Sequence, residues 1–154
     1  MKWVEKEGKA LESQLETLKE EINILEMDEL YTYIKKKSNQ IRVWTAVNRD
    51  KLKFASFVVG SASKEICQSL LDKLKECNIG IICTDGNYAY EACIPESIKH
   101  VIKKSETCLV ESYNSVLRYG LARLHRRTKC YSKSAEMLRL SVLMLINKFN
   151  NEQR

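Results

Sequence analysis

Between residues 26 and 59 the chain carries three runs rich in β-branched and aromatic residues, joined by turns only a few residues long. This stretch constrains the fold more than any other. The runs are 26–34 (EMDELYTYI), 41–47 (IRVWTAV) and 52–59 (LKFASFVV), and the turns between them are KKKSNQ and NRDK. Side chains of this kind fit a pleated, half-buried surface. Connections this short join antiparallel neighbours, because a parallel crossover needs about a dozen residues or more. The spacing therefore predicts a three-stranded antiparallel meander.

Beyond Gly60 the apolar period becomes helical. Ser63 is placed to cap a helix whose apolar face is Ile66, Leu70, Leu71 and Leu74, running to about Cys77. Residues 79–84 (IGIICT) form a short apolar run suited to a strand covered on both faces. A short helix fits after Asp85 and Gly86 and must stop by Pro95. Residues 98–102 (SIKHV) read as a further strand, 106–124 as a long helix and 134–149 as another. Ahead of the meander, Leu11, Leu15, Leu18 and Ile22 recur at spacings of three and four, which predicts a helix over 2–22. The chain thus divides into an N-terminal linker or oligomerisation helix, 1–24, and one domain over 25–150. The order β-β-β-α-β-α-β-α-α predicts an α/β architecture with a mixed five-stranded sheet. Three antiparallel strands are followed by parallel ones, with helices on the faces. This is the element order of the RNase H-like fold.

The 154 residues suit one globular domain, and 44% hydrophobic with 30% charged residues supports a packed core rather than disorder. No two of the six cysteines, Cys67, Cys77, Cys83, Cys93, Cys108 and Cys130, stand at C-x₂₋₄-C spacing, and there are only two His, which argues against a zinc knuckle. The most apolar stretch, 140–147, is far short of the ~20 residues of a membrane span, and the N-terminus has no signal-peptide core. A cytosolic chain with reduced, packing cysteines is expected. The net charge of +6 is unevenly spread. Residues 1–30 sum to −5, whereas residues 99–133 sum to +7 through Lys99, Lys103, Lys104, Arg118, Arg123, Arg126, Arg127, Lys129 and Lys133. Such a stretch is either a solvated basic face or a track for a phosphate backbone.

Three acids stand out. Asp28 lies in the first run beside Met27, Leu30 and Tyr31. Acids are poor strand formers, so it either faces solvent or serves a site. Asp85 closes IGIICT at the carboxyl end of a strand, where open α/β sheets place ligands, although an Asx-turn or a helix cap would explain it too. Glu111 lies in the long helix with Thr107, Asn114 and Arg118 at −4, +3 and +7. These form one polar stripe opposite Leu109, Val110, Val116 and Leu117, as an ordinary solvated face also would. With the first strand central and the fourth beside it, Asp28 and Asp85 converge and the long helix can carry Glu111 over them. Several carboxylates at one point are what hard, near-octahedral Mg²⁺ requires. Two such ions about 4 Å apart can serve the attacking and leaving oxygens of a phosphodiester.

Taken with their neighbours, these residues resemble the InsB-type transposases of bacterial insertion sequence one, over about residues 23–149. The resemblance runs through EMDELYTYI, KKKSNQ with IRVW after it, and TDGNYAY. It continues from His100 through KKSETCLVESYN to Leu117 and Arg118, and then through LARLHRRTKCYSKS and the terminal apolar helix. It implies an RNase H-like DDE recombinase whose triad is Asp28, Asp85 and Glu111. Two Mg²⁺ ions, replaceable by Mn²⁺, would be held there for cleavage of transposon 3′ ends and strand transfer to target DNA. Arg118 falls on the basic residue that follows the glutamate by seven positions in such enzymes, and Asn114 also matches the pattern. Tyr113 stands where relatives often have His, and Met137 with Leu138 falls where the last helix often carries one.

In the mechanism expected from this resemblance, Asp28 bridges both metals while Asp85 and Glu111 complete one sphere each. Arg118 clamps a phosphate, and Lys103, Lys104, Arg123, Arg126 and Arg127 track the DNA backbone. Trp44, Tyr88 and Tyr90 are expected in packing roles, and His100 and His125 as surface or phosphate-contacting groups rather than ligands. Relatives carry an N-terminal zinc-binding segment and helix-turn-helix that recognise the transposon end. This chain begins at what resembles the linker after them. The expected partners are DNA and either further copies or a full-length transposase, in the bacterial cytoplasm at the nucleoid. The alternative is a catalytically silent DNA-binding or regulatory fragment.

Overall fold

β1 (Glu21–Tyr33), β2 (Gln40–Asn48) and β3 (Lys53–Gly60) form the expected meander in a computed structural model, which describes residues 2–13, 19–125 and 127–153. The chain continues through α2 (Lys64–Lys73), β4 (Asn78–Thr84), α3 (Tyr88–Cys93), β5 (Lys99–Ile102), α4 (Cys108–Gly120) and α5 (Ala135–Glu152), preceded by α1 (Lys2–Ser13). Short 3₁₀ turns occupy Lys104–Glu106 and Ala122–Leu124. The sheet order is β3-β2-β1-β4-β5, so β1 is central, with β2 antiparallel on one side and β4 parallel on the other. This is the RNase H-like arrangement expected from the sequence.

Side chains alternate across the pleat, so β1 feeds two cores. Leu25 and Met27 pack with Trp44, Cys67, Leu70 and Tyr90 beneath α2 and α3. Leu30 packs on the other face with Val43, Phe54, Val110, Leu117, Leu138 and Val142 beneath α4 and α5. Phe54, Tyr113 and Phe149 meet edge-on or tilted at 4.8–5.5 Å between ring centres, and the Tyr113 hydroxyl donates to the Leu52 carbonyl. Tyr113 is therefore a core residue. Trp44 and Tyr90 are also buried, whereas Tyr88 is 71% exposed.

The helix expected over 2–22 ends at Ser13, and Ile22 lies in β1 instead; Leu15 and Leu18 fall outside the described residues. Pairing decides this: Glu21 and Ile22 pair with Asn78 and Ile79 of β4, and Ile22 is fully buried there, which outweighs a helical spacing of leucines. α1 packs instead on α5. A Cβ at Gly8 would stand 2.8 Å from Leu140, and Arg139 pairs with Glu12 at 2.8 Å. The long helix expected to reach residue 124 stops at Gly120, because Leu121 is extended (φ −121°, ψ 114°). Among the described residues no helix is long and apolar enough to cross a membrane.

Candidate active site

β1 and β4 pair in parallel as far as Glu26 and Cys83 and then part. Asp28 and Asp85 each lie two residues beyond that last pair, so they are neighbours across the crevice where a central strand outruns its parallel partner. Such crevices at the carboxyl ends of strands are where open α/β sheets bind ligands. Asp28, Glu29 and Asp85 each place a carboxylate oxygen within 4.8 Å of the other two. The crevice opens into a cavity of about 650 Å³ whose walls include Asp28, Asp85, Glu111, Asn114, Lys104 and Arg118.

Asp28 is half-buried and its partners are neutral amides. The Asn114 side-chain amide donates to its Oδ2 at 3.0 Å, and Thr45 donates to the Asn114 oxygen at 2.8 Å. This chain fixes the Asn114 amide orientation through a hydroxyl on the neighbouring strand. Burial pushes the Asp28 carboxyl up from 3.8 to about 6, and the charges of Glu29 and Asp85 push the same way, while the Glu29 N–H and the Asn114 amide oppose them. Among the described residues no Lys or Arg pairs with Asp28 or Asp85. Asp85 accepts from the Asn87 N–H at 3.0 Å, so it closes an Asx-turn while still facing the cavity. Behind it, Thr84 Oγ1 contacts His100 Nε2 at 2.7 Å.

Two further acids of β1 hold the surrounding elements, and the sequence reading missed both. Glu26 is buried. It accepts from the Val110 N–H in the first turn of α4 at 2.7 Å and pairs with Arg49 at 2.8 Å. Arg49 in turn reaches the Glu106 carbonyl at 2.8 Å and its carboxylate at 3.2 Å. Glu26 thereby caps the helix that carries Glu111 and pins it to the strand that carries Asp28. Glu29 leaves the strand on the opposite face, but its carboxylate also lines the cavity; it accepts from Asn87 and Tyr90 and pairs with Arg42 at 3.4 Å. Burial and the Glu29 charge hold the Tyr90 phenol well above its ordinary value, so it remains a donor. Glu29 is thus occupied as an anchor for the loop and helix that follow Asp85. The available signal was three acids at 26, 28 and 29 in one apolar strand, each of which needed a partner.

Glu111 is exposed on the far wall of the cavity and lies outside the 4.8 Å group. Thr107 donates to its Oε1 at 3.1 Å, within the polar stripe expected on that helix face. Arg118 lines the cavity with its guanidinium held by the carbonyls of Leu124 at 3.0 Å and Tyr31 at 3.4 Å. Lys104 lines it too. Lys103 and Arg127 are exposed and Arg123 is half-buried, all away from the lining, and Arg126 lies outside the described residues.

The donor set fits a hard divalent cation. It consists of carboxylate oxygens with no basic partner on Asp28 or Asp85, gathered in an open cavity where burial disfavours the uncompensated charge.

Comparison with known proteins shows the family and the fold. The sequence profile described as IS1 transposase matches residues 22–151. The chain is 32% identical over 114 residues to the insertion element iso-IS1n protein InsB of Shigella dysenteriae, covering 74% of this chain and 86% of that protein. It is 35% identical over 112 residues to the insertion element IS1 4 protein InsB of Escherichia coli K12, covering 73% of this chain and 66% of that protein. Among solved structures, the HTLV-2 integrase catalytic core domain in complex with magnesium superposes with a TM-score of 0.55 at 17% identity. That match covers 79% of this chain and 82% of the other, and it shares the fold.

Proposed function

For a chain that belongs to the IS1 transposase family, we propose Mg²⁺-dependent cleavage of transposon 3′ ends and their transfer to target DNA, with Asp28, Asp85 and Glu111 as the metal-holding carboxylates and the domain from β1 to α5 as the catalytic unit, its start moved from residue 25 to Glu21 because β1 begins there. The observation that carries this reading is the convergence of Asp28 and Asp85 from adjacent parallel strands, unpaired with any base among the described residues, in a cavity that Glu111 also lines.

A pair of Mg²⁺ ions bound there, or Mn²⁺ in their place, supplies Lewis-acid polarisation of the phosphate and activation of the attacking oxygen. The protein's own residues supply position and charge. The Asn114 amide holds Asp28 in one orientation, and the Glu26–Arg49 pair holds the Glu111 helix against β1. Arg118, pre-oriented by two carbonyls, and Lys104 present cationic N–H groups to the non-bridging phosphate oxygens. In the first step water attacks the phosphorus and the P–O3′ bond breaks, leaving a 3′-OH. In the second step that hydroxyl attacks a target phosphate in line and displaces a target 3′-oxygen.

The test is a strand-joining assay on labelled duplexes bearing the element's ends, with Mg²⁺. Asp28→Asn, Asp85→Asn and Glu111→Gln should each lower joining by at least about 10³-fold while the proteins stay folded. Joining retained after any one change removes that residue from the assignment.

A further inference from the structure

We propose that the β1–β2 hairpin and the segment before α5 together form a second grip on duplex DNA, about six base pairs from the reacting phosphate. The inference rests on the proposal that DNA is the substrate, and adds where and how the duplex is held. Residues 35–37 and 127–133 are remote in sequence, yet the fold joins them. Ile34 and Ser132 form a parallel bridge, the Lys35 N–H donates to the Ser132 carbonyl at 2.9 Å, and the rings of Tyr33 and Tyr131 meet edge-on at 5.4 Å. The joined surface carries Lys35, Lys36, Lys37, Arg127, Lys129 and Lys133, all exposed.

Three features set this surface apart from an ordinary solvated face. No acid occurs in residues 30–49 or 112–135, so the six cations have no neighbouring carboxylate along either segment. None of the six has an ion pair among the described residues. Lys35 also adopts φ 63°, a left-handed conformation that glycine or asparagine holds at lower cost.

The position of the surface defines its partner. Ile34 lies six residues beyond Asp28, directly after the end of β1, which places the patch about 20 Å from the carboxylates at ~3.3 Å per residue. Tyr31, Tyr33 and Arg118 line the cavity on the way. At about 3.4 Å per base pair, a duplex with its reacting phosphate over Asp28 reaches the patch some six base pairs along. The two rings within the surface are turned on each other rather than outward, so it lacks the stacking platform that single strands use.

The experiment measures duplex binding by fluorescence anisotropy across a salt series, without divalent metal. The variants are Lys35→Gln/Lys36→Gln/Lys37→Gln and, separately, Arg127→Gln/Lys129→Gln/Lys133→Gln. Each triple should flatten the slope of log K against log salt by about 2.7, at ~0.9 per phosphate contact. Extending a duplex on one side from about three to about ten base pairs should tighten wild type tenfold or more and each triple by clearly less. A triple at Lys64, Lys75 and Lys148, outside both segments, should leave the slope in place. Wild-type slopes in both patch triples, or an equal loss on single-stranded DNA, would overturn the proposal. Mg²⁺ stabilisation that disappears in Asp28→Asn, followed by thermal unfolding, tests the carboxylate site separately and stands whatever the patch does.

Discussion

Asp28→Asn should make the metal-free protein more stable, and the size and pH dependence of the gain can be worked from the site. Burial and two nearby carboxylates raise the Asp28 carboxyl from 3.8 to about 6. A shift of about two units corresponds to roughly 3 kcal/mol at ~1.4 kcal/mol per unit, and partial exposure of the side chain reduces this to about 2 kcal/mol. The asparagine is nearly isosteric, keeps an oxygen to accept from Asn114, and removes the charge. For a domain of this size about 2 kcal/mol is roughly a 4–8 °C rise in Tm. The sign follows from proton linkage. A carboxyl whose folded pKa is raised binds its proton more tightly in the native state, so the native state loses stability as pH climbs from about 4 through about 6. The penalty is therefore complete above that window and gone below it. Thermal unfolding in EDTA at pH 7.5 and at pH 4 should show the full gap at the higher pH and almost none at the lower. A variant less stable than wild type at pH 7.5, or a gap equal at both pH values, refutes the account of Asp28 as a strained, uncompensated charge.

The other acids of β1 should behave in the opposite way. Glu26→Gln leaves Arg49 without its buried carboxylate and weakens the cap on α4, so urea unfolding should show a loss of about 2–4 kcal/mol; a loss below about 0.5 kcal/mol would remove the clamp from the account. Tyr90→Phe deletes a donor to the buried Glu29 carboxylate and should cost about 2 kcal/mol in the same assay. Asn114→Ala removes a hydrogen bond that favours ionised Asp28, so its pKa should move higher still. Mg²⁺ binding by calorimetry should then suffer more at pH 6.5 than at pH 8, and an equal loss at both would contradict that role.

The sequence determined the element types and their order. The alternation in 26–59, the helical spacing after Gly60 and the apolar run 79–84 each encode a local preference that survives into the structure, and short turns leave the meander no other pairing. The positions of Asp28 and Asp85 were legible because an acid inside or at the end of an apolar strand violates local preference. Where the spacing of Leu11, Leu15, Leu18 and Ile22 reads as one helix, pairing of Ile22 with Ile79 is a long-range contact that no local period records. Tertiary structure alone decided what the neighbouring acids do. Glu26 and Glu29 are three residues apart on one strand, so the pleat already starts them on opposite faces, but only the fold brings Val110 and Arg49 to one and Asn87, Tyr90 and Arg42 to the other. The same is true of the joined basic segments: residues 35–37 and 127–133 share a surface because β1 outruns its parallel neighbour and ends against Ser132. A side chain's local tendency is written in its own neighbourhood of the chain, whereas its partner is set by where a distant element comes to rest.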